Sequence, residues 1–400
     1  MQGGANTLKV EEVSLLKRIF ALFLAFSLLL FPVLAADDAD TTDVAGPAFT
    51  VSAKSALLME ADTGTVLFAQ NEHEALPPAS VTKVMSLLLV YEALEDGRIR
   101  KEDLVSVSET AAAKGGSQVY LSPGEEMSVD ELIKCVAVAS ANDAVTALAE
   151  LVAGSEEAFV VCMNERAAAL GLSDTSFVNC TGLDDDGTNL TSAADIAVLS
   201  RALMAHEDIF QYTTIWMDSI RNGAFGLTNT NRLVRFYSGT NGLKTGSTSR
   251  AGFCISATAK RDGMQLIAVI MGAETSAGRN EQAKKLLDYG FANFSVAHLP
   301  RVTGLEPVAV SGGEAAFVEP LMREEEVVLL LGKGESSSVT TKITLESALE
   351  APVEQGQTIG RIDYYCKDQK VHSVALVAAA PVARVTFGFA FTRAVHTILL

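Results

Sequence analysis

Ser80 and Lys83 stand three residues apart in Pro77-Pro78-Ala79-Ser80-Val81-Thr82-Lys83, and that spacing on a helix returns to nearly the same face. The lysine amine can therefore reach the serine hydroxyl. A serine is a weak nucleophile without an adjacent base, and a lysine becomes a base only when burial or a neighbouring cation lowers its pKa. A helix N-terminus, with free N–H groups and partial positive charge, would also help to stabilise an oxyanion. The chemistry on offer is acyl transfer through a serine ester. The pattern is weak alone, since Ser14-Leu15-Leu16-Lys17 repeats it by accident.

Two further groups follow in order. Ser140-Ala141-Asn142 falls between two helical patterns and supplies a hydroxyl and an amide from a short turn; taken alone, it could equally cap a helix beginning at Asp143. Lys244-Thr245-Gly246 opens a strand-like segment, and alone reads as an edge-strand lysine with a turn glycine. S-x-x-K on a helix, then S-x-N, then K-T-G on a strand is a far stronger signal than any one of them.

Positioning these groups requires a mixed domain. Ala56 to Met59 and Thr65 to Ala69 flank Asp62-Thr63-Gly64 as a hairpin. Helical periodicity fills Val84 to Leu94, Val129 to Val138, Ala144 to Val152, Glu156 to Leu170 and Ala193 to Met204. Strand character returns at Gly242 to Gly246, Gly252 to Ala259 and Leu266 to Met271, before a closing helix at Asn280 to Phe294. Strands at both ends with helices between predict one α/β domain, over 48–295, whose sheet is assembled from distant segments. Short strands broken by Gly, Glu and Ser clusters predict a small β domain over 298–379. Residues 383–400 form an amphipathic pattern suited to the membrane interface or to packing on the protein itself.

At the other end, Lys17 and Arg18 precede a run from Ile19 to Phe31 that is apolar except at Ser27, then Val33-Leu34-Ala35-Ala36. That order predicts a cleaved export signal over 1–35 and an acidic leader over 36–47; the run is shorter than the ~20 residues that span a bilayer. A formal charge of −18 without a basic patch argues against nucleic acid as a partner. The five cysteines and five histidines are scattered without metal-ligand spacing, so no disulfide framework, metal or other cofactor is expected.

These residues resemble the serine penicillin-binding proteins, and within them the low-molecular-weight D-alanyl-D-alanine carboxypeptidases. Pro78 to Lys83, Gly116-Ser117 with Leu121-Ser122-Pro123-Gly124, Ser140 to Ala144, Gly182-Leu183-Asp184, Gly242 to Gly246 and Gly278-Arg279 look like that family's blocks in order, over nearly the whole mature chain. The resemblance implies an α/β (α+β) transpeptidase domain of the penicillin-binding-protein and β-lactamase type, a small all-β domain and an amphipathic C-terminal membrane anchor. It makes Ser80 the acylated nucleophile and Lys83 its base, with Ser140 and Asn142 relaying a proton and positioning the peptide. Lys244, Thr245, Gly246, Ser247 and Arg279 become the substrate-binding set: Lys244, Thr245 and Arg279 for the terminal carboxylate, the Ser80 and Ser247 N–H groups for the oxyanion. Some members carry histidine after K-T-G where Ser247 stands here. The implied substrate is a peptidoglycan stem peptide ending in D-Ala-D-Ala, the implied inhibitors are β-lactams, and the implied location is the outer face of the cytoplasmic membrane.

Three other readings compete. A class A β-lactamase shares the motifs but needs a glutamate for deacylation, usually in E-x-x-L-N, and no such pattern lies between Asn142 and Lys244. A non-catalytic wall-binding module has no need of the reactive serine and two lysines together. A D,D-endopeptidase acting on cross-links would use the same residues.

Overall fold

The computed structural model describes residues 49–183 and 188–399. The predicted signal 1–35, the leader 36–47 and Asp184 lie outside them. Strands β1 (Ser55–Glu60) and β2 (Val66–Gln70) form the expected hairpin, its turn held by Glu60, whose carboxylate accepts from the Asp62 and Thr63 amides at 3.0 and 2.8 Å. Two short pairings interrupt the helical half where only helices were expected: β3 (Leu104–Ser106) with β4 (Glu126–Ser128), and β5 (Met217–Ile220) with β6 (Phe225–Thr228). Strands of three or four residues are too short for their alternation to stand out.

Three longer strands, β7 (Thr240–Thr248), β8 (Gly252–Arg261) and β9 (Met264–Ala273), complete an antiparallel sheet in the order β2-β1-β9-β8-β7, with β7 at an edge. Both faces of its centre are covered. Leu57, Ile267 and Val269 face the helical core, whereas Leu58, Leu266 and Ala268 pack on the other side with Leu286 and Leu287 of the helix Ser276–Asn293. A strand buried on both faces reads as a continuous apolar run, as in Leu266 to Met271. The helix Lys83–Glu95 is apolar nearly all round and runs through the middle of the helical core, with Lys83, Val84, Met85 and Leu88 all buried.

The helix predicted over Val129 to Val138 is α-helical only to Lys134; Cys135–Ala139 widens into a π turn that ends at Ser140 in the left-handed region (φ 62°, ψ 29°). Such bulges re-aim the residue that follows them. The closing helix stops at Asn293, and Phe294–Pro300 is strand β10, paired with Glu326–Gly332. Only Phe294 of this strand falls within the predicted helix; the residues after it fall in no predicted element. Beyond it come a three-stranded sheet around Val308–Ser311 and a four-stranded sheet that includes Val339–Leu345, Thr358–Cys366 and Gln369–Ala378. Val327, Leu329, Ile362, Tyr364 and Leu376 form one core with the four-stranded sheet, and Val308, Val310, Val318 and Ile359 form a second at the three-stranded sheet. The terminal helix spans Phe387–Leu399.

Candidate active site

Ser80 lies in a single 3-10 turn, Ala79–Thr82, that runs directly into the buried helix at Lys83. The turn is strained just before the serine, because Ala79 holds φ at 49°, a region costly for a side chain with a Cβ. Gly182 packs against it so tightly that a Cβ there would lie 2.0 Å from the Ala79 carbonyl oxygen. Lys83 Nζ donates to Ser80 Oγ at 2.9 Å and to the Thr181 carbonyl at 2.7 Å. Burial pushes the Lys83 ammonium down to about 7. A substantial fraction is therefore neutral amine at neutral pH, carrying the lone pair a base needs.

The π turn and its left-handed exit place Ser140 against the third motif. Lys244 Nζ, fully buried on β7, donates to Ser140 Oγ at 2.8 Å and to the Thr245 carbonyl at 2.9 Å. Burial holds the Lys244 ammonium well below its usual range, with the charges of Lys83 and Arg279 acting in the same direction. Asn142 begins the next helix and is not its cap; that position belongs to Ala141. Its Nδ2 donates to the Gly115 carbonyl at 2.7 Å, while Oδ1 is buried and accepts no hydrogen bond among the described residues. A buried amide oxygen without a donor is costly, and a bound peptide N–H would satisfy it.

Gly246 joins the two halves. A Cβ built on it would fall 2.5 Å from the Pro78 carbonyl, 2.8 Å from Ser80 N and 2.9 Å from Val81 N, so only glycine lets β7 lie this close to the nucleophile's own amide. Gly246→Ala should therefore slow acylation by fluorescent penicillin at least ~100-fold, the scale of losing one oxyanion donor. A loss under tenfold would mean that the Ser80 amide does not serve the oxyanion.

Thr245 Oγ1 donates to Thr230 Oγ1 at 2.8 Å, and Ser247 follows on the same strand, exposed at its end. Arg279 lies on the helix Ser276–Asn293. It is buried, but its hydrogen bonds go to the Cys254 carbonyl, Ser276 Oγ and Asn280 Oδ1, not to Lys244 or Thr245. Burial lowers its pKa to about 10. It is close enough to depress the Lys244 pKa, so it adds positive potential beside Lys244.

Three residues at this site escaped the motif reading. Asp143 accepts from the Val119 and Leu121 amides, fixing the loop that carries Gly115 to Ser117. Asn179 accepts from the Gly182 amide and donates to the Leu183 carbonyl, fixing the loop that carries Thr181. Thr230 backs Thr245. An acid inside the apolar stretch Ala141 to Ala149 was a readable signal for Asp143; the spacing of the others carries none.

Fold and site together set two serines on two buried lysines, the arrangement of a serine hydrolase. Residues 40–275 match the family model for D-alanyl-D-alanine carboxypeptidase, and 303–384 match that for the C-terminal domain of penicillin-binding protein 5. The chain belongs to the D-alanyl-D-alanine carboxypeptidase family. It is 44% identical over 332 residues to the D-alanyl-D-alanine carboxypeptidase DacF of Bacillus subtilis, covering 82% of this chain and 85% of the relative. Its structure is similar to penicillin-binding protein 5 from Haemophilus influenzae, with a TM-score of 0.76 and 30% identity over 84% of this chain and 99% of that one. It is also similar to penicillin-binding protein D2 from Listeria monocytogenes in its ampicillin-bound form, with a TM-score of 0.57 and 30% identity over 61% of this chain and 100% of that one.

Proposed function

We propose that the protein is a serine-type D-Ala-D-Ala carboxypeptidase that removes the terminal D-alanine from peptidoglycan stem pentapeptides through an acyl-enzyme on Ser80. The observation that carries the proposal is the buried Lys83 amine, 2.9 Å from Ser80 Oγ with its pKa lowered to about 7. Ser80 Oγ attacks the carbonyl carbon of the penultimate D-Ala while its proton passes to Lys83 Nζ. The carbonyl oxygen becomes an oxyanion held by the Ser80 and Ser247 N–H groups. Because Lys244 Nζ donates to Ser140 Oγ, the Ser140 hydroxyl hydrogen is free to pass to the departing alanine nitrogen as the C–N bond breaks, and Ser140 takes back a proton from the Lys83 ammonium, which returns to the neutral amine. The terminal carboxylate finds donors in the Lys244 amine and the Thr245 hydroxyl and positive potential from Arg279, and its own negative charge draws Lys244 back toward the ammonium. Water then cleaves the ester and restores Ser80. Incubating the enzyme with a stem pentapeptide should release one alanine, seen by mass spectrometry as tetrapeptide; an unchanged pentapeptide would refute the reading, and cleaved cross-linked dimer without tetrapeptide would favour the endopeptidase.

For the chain as a whole we infer an export signal over 1–35, a leader over 36–47, the catalytic domain over 48–295, the accessory β domain over 298–379 and a membrane-surface anchor within 383–400. These place the enzyme on the outer face of the cytoplasmic membrane. Phe387, Phe391 and Val395 recur every fourth residue on the terminal helix with 88%, 61% and 39% of their surface exposed, an apolar stripe that supports lying in the interface. Among the described residues no helix is long and apolar enough to cross a membrane. Ala383 and Val385 are bonded to Glu314 and Gly312 of the β domain, so the anchor proper begins after them. Deleting Thr386 to Leu400 should release active enzyme from membrane vesicles in a sedimentation assay; continued sedimentation with the vesicles would reassign the helix.

A further inference from the structure

We propose that Glu156 is a positioning residue that sets the catalytic amine of Lys83 and the substrate-binding amide of Asn142 together, an inference that rests on the roles given to those two residues above. Glu156 lies in the first turn of the helix Glu156–Ala169, its side chain 12% exposed. Oε2 accepts from Lys114 Nζ at 2.5 Å, and Oε1 accepts from the Cys180 amide at 3.1 Å and from Cys180 Sγ at 3.2 Å. Each of those partners is one residue away from a carbonyl that the site depends on. Lys114 precedes Gly115, whose oxygen takes Asn142 Nδ2 at 2.7 Å; Cys180 precedes Thr181, whose oxygen takes Lys83 Nζ at 2.7 Å.

The carbonyls matter for orientation. A neutral lysine amine has two N–H bonds and one lone pair, and when Thr181 takes an N–H the rotation of the amine is fixed, so the lone pair can be held toward Ser80 Oγ. When Gly115 takes one N–H of Asn142, the amide plane is fixed and with it the unpartnered Oδ1. Neither carbonyl lies in a helix or strand, so each owes its position to ties such as this one. Burial works against ionisation of Glu156, but hydrogen bonds from Lys114 and from the Cys180 amide and thiol outweigh it and hold the carboxyl below its usual range. One ionised carboxylate thus spans the two loops that flank the site.

The test separates positioning from folding by measuring the maximal acylation rate and the half-saturating concentration of a fluorescent penicillin, per active site titrated at saturation. Lys114→Met releases only the Asn142 side: half-saturation should rise at least fivefold while the maximal rate stays within threefold of the parent. Glu156→Gln retains an oxygen for the Cys180 amide and should match Lys114→Met. Glu156→Ala releases both sides and should also lower the maximal rate at least thirtyfold. Cys180→Ala keeps the backbone N–H and should stay within twofold. If the Glu156 variants lose thermal stability or titratable sites but each remaining site reacts as the parent does, Glu156 is a structural tie and the proposal fails. Should Glu156→Ala not fold, half-saturation within twofold of the parent in both Glu156→Gln and Lys114→Met overturns it equally. Failure of the parent itself to become labelled would instead refute the acyl-enzyme reading.

Discussion

Lys83→Arg is expected to lower the acylation rate constant by ~10³-fold or more, within the 10²–10⁴ range of general-base catalysis. A guanidinium keeps its proton at any working pH, so it offers Ser80 no lone pair. The parent should reveal the same dependence through pH. Burial places the Lys83 ammonium at about 7, so acylation should rise about tenfold per pH unit below that value, as ammonium gives way to amine, and level off above it. Stopped-flow labelling across pH 5 to 9 measures both. Ser80→Ala supplies the zero: the turn has no side-chain cap to lose, so the variant should fold, and it should form no covalent adduct. A Lys83→Arg rate within tenfold of the parent, or a parent profile flat through neutrality, would assign the base elsewhere.

How far the site was legible depended on whether a residue acts through its neighbours in sequence or through neighbours in space. Ser80 and Lys83 are a local pair, and three residues along a turn and helix suffice to bring them together. Gly246 was visible as the third member of a motif, but the reason for it is a backbone approach to Pro78 and Ser80 that only the folded sheet edge shows. The long strands could be read because both faces are buried, and Ala193–Met204 was recoverable to the residue from its periodicity. Strand β10 was lost because Phe294 continues the apolar spacing of the preceding helix and the rest, Ser295 to Pro300, falls between that helix and the first strand pattern of the β domain. The strained turn at Ala79, the π turn before Ser140 and the hydrogen bond of Arg279 to the Cys254 carbonyl leave no trace in residue types at all. Each is imposed by tertiary packing upon a local sequence compatible with ordinary geometry.

The penicilloyl ester on Ser80 should outlive the peptidyl ester by orders of magnitude. Hydrolysing either requires a water in line with the ester carbonyl and a base to activate it. Among the described residues, the two carboxylates that tie the catalytic loops are already committed. Asp143 accepts from the Val119, Leu121 and Ala144 amides, and Glu156 from Lys114 and Cys180. Neither is hydrogen-bonded to Ser80 or Lys83, so activation of water falls to Lys83 itself. With the peptide this suffices, because departure of D-alanine empties the space beside Ser140, Lys244 and Thr245. Penicillin has no such departure: its opened lactam amine stays tethered through the thiazolidine, whose carboxylate keeps the ring on Lys244 and Thr245, where it obstructs the water. Intact-protein mass spectrometry after one equivalent of penicillin should therefore show the adduct persisting long after a peptide substrate has turned over many times. Recovery of unmodified enzyme within a second or so, with hydrolysed penicillin accumulating, would show that a water reaches the ester past the tethered ring and would make the protein a β-lactamase in practice.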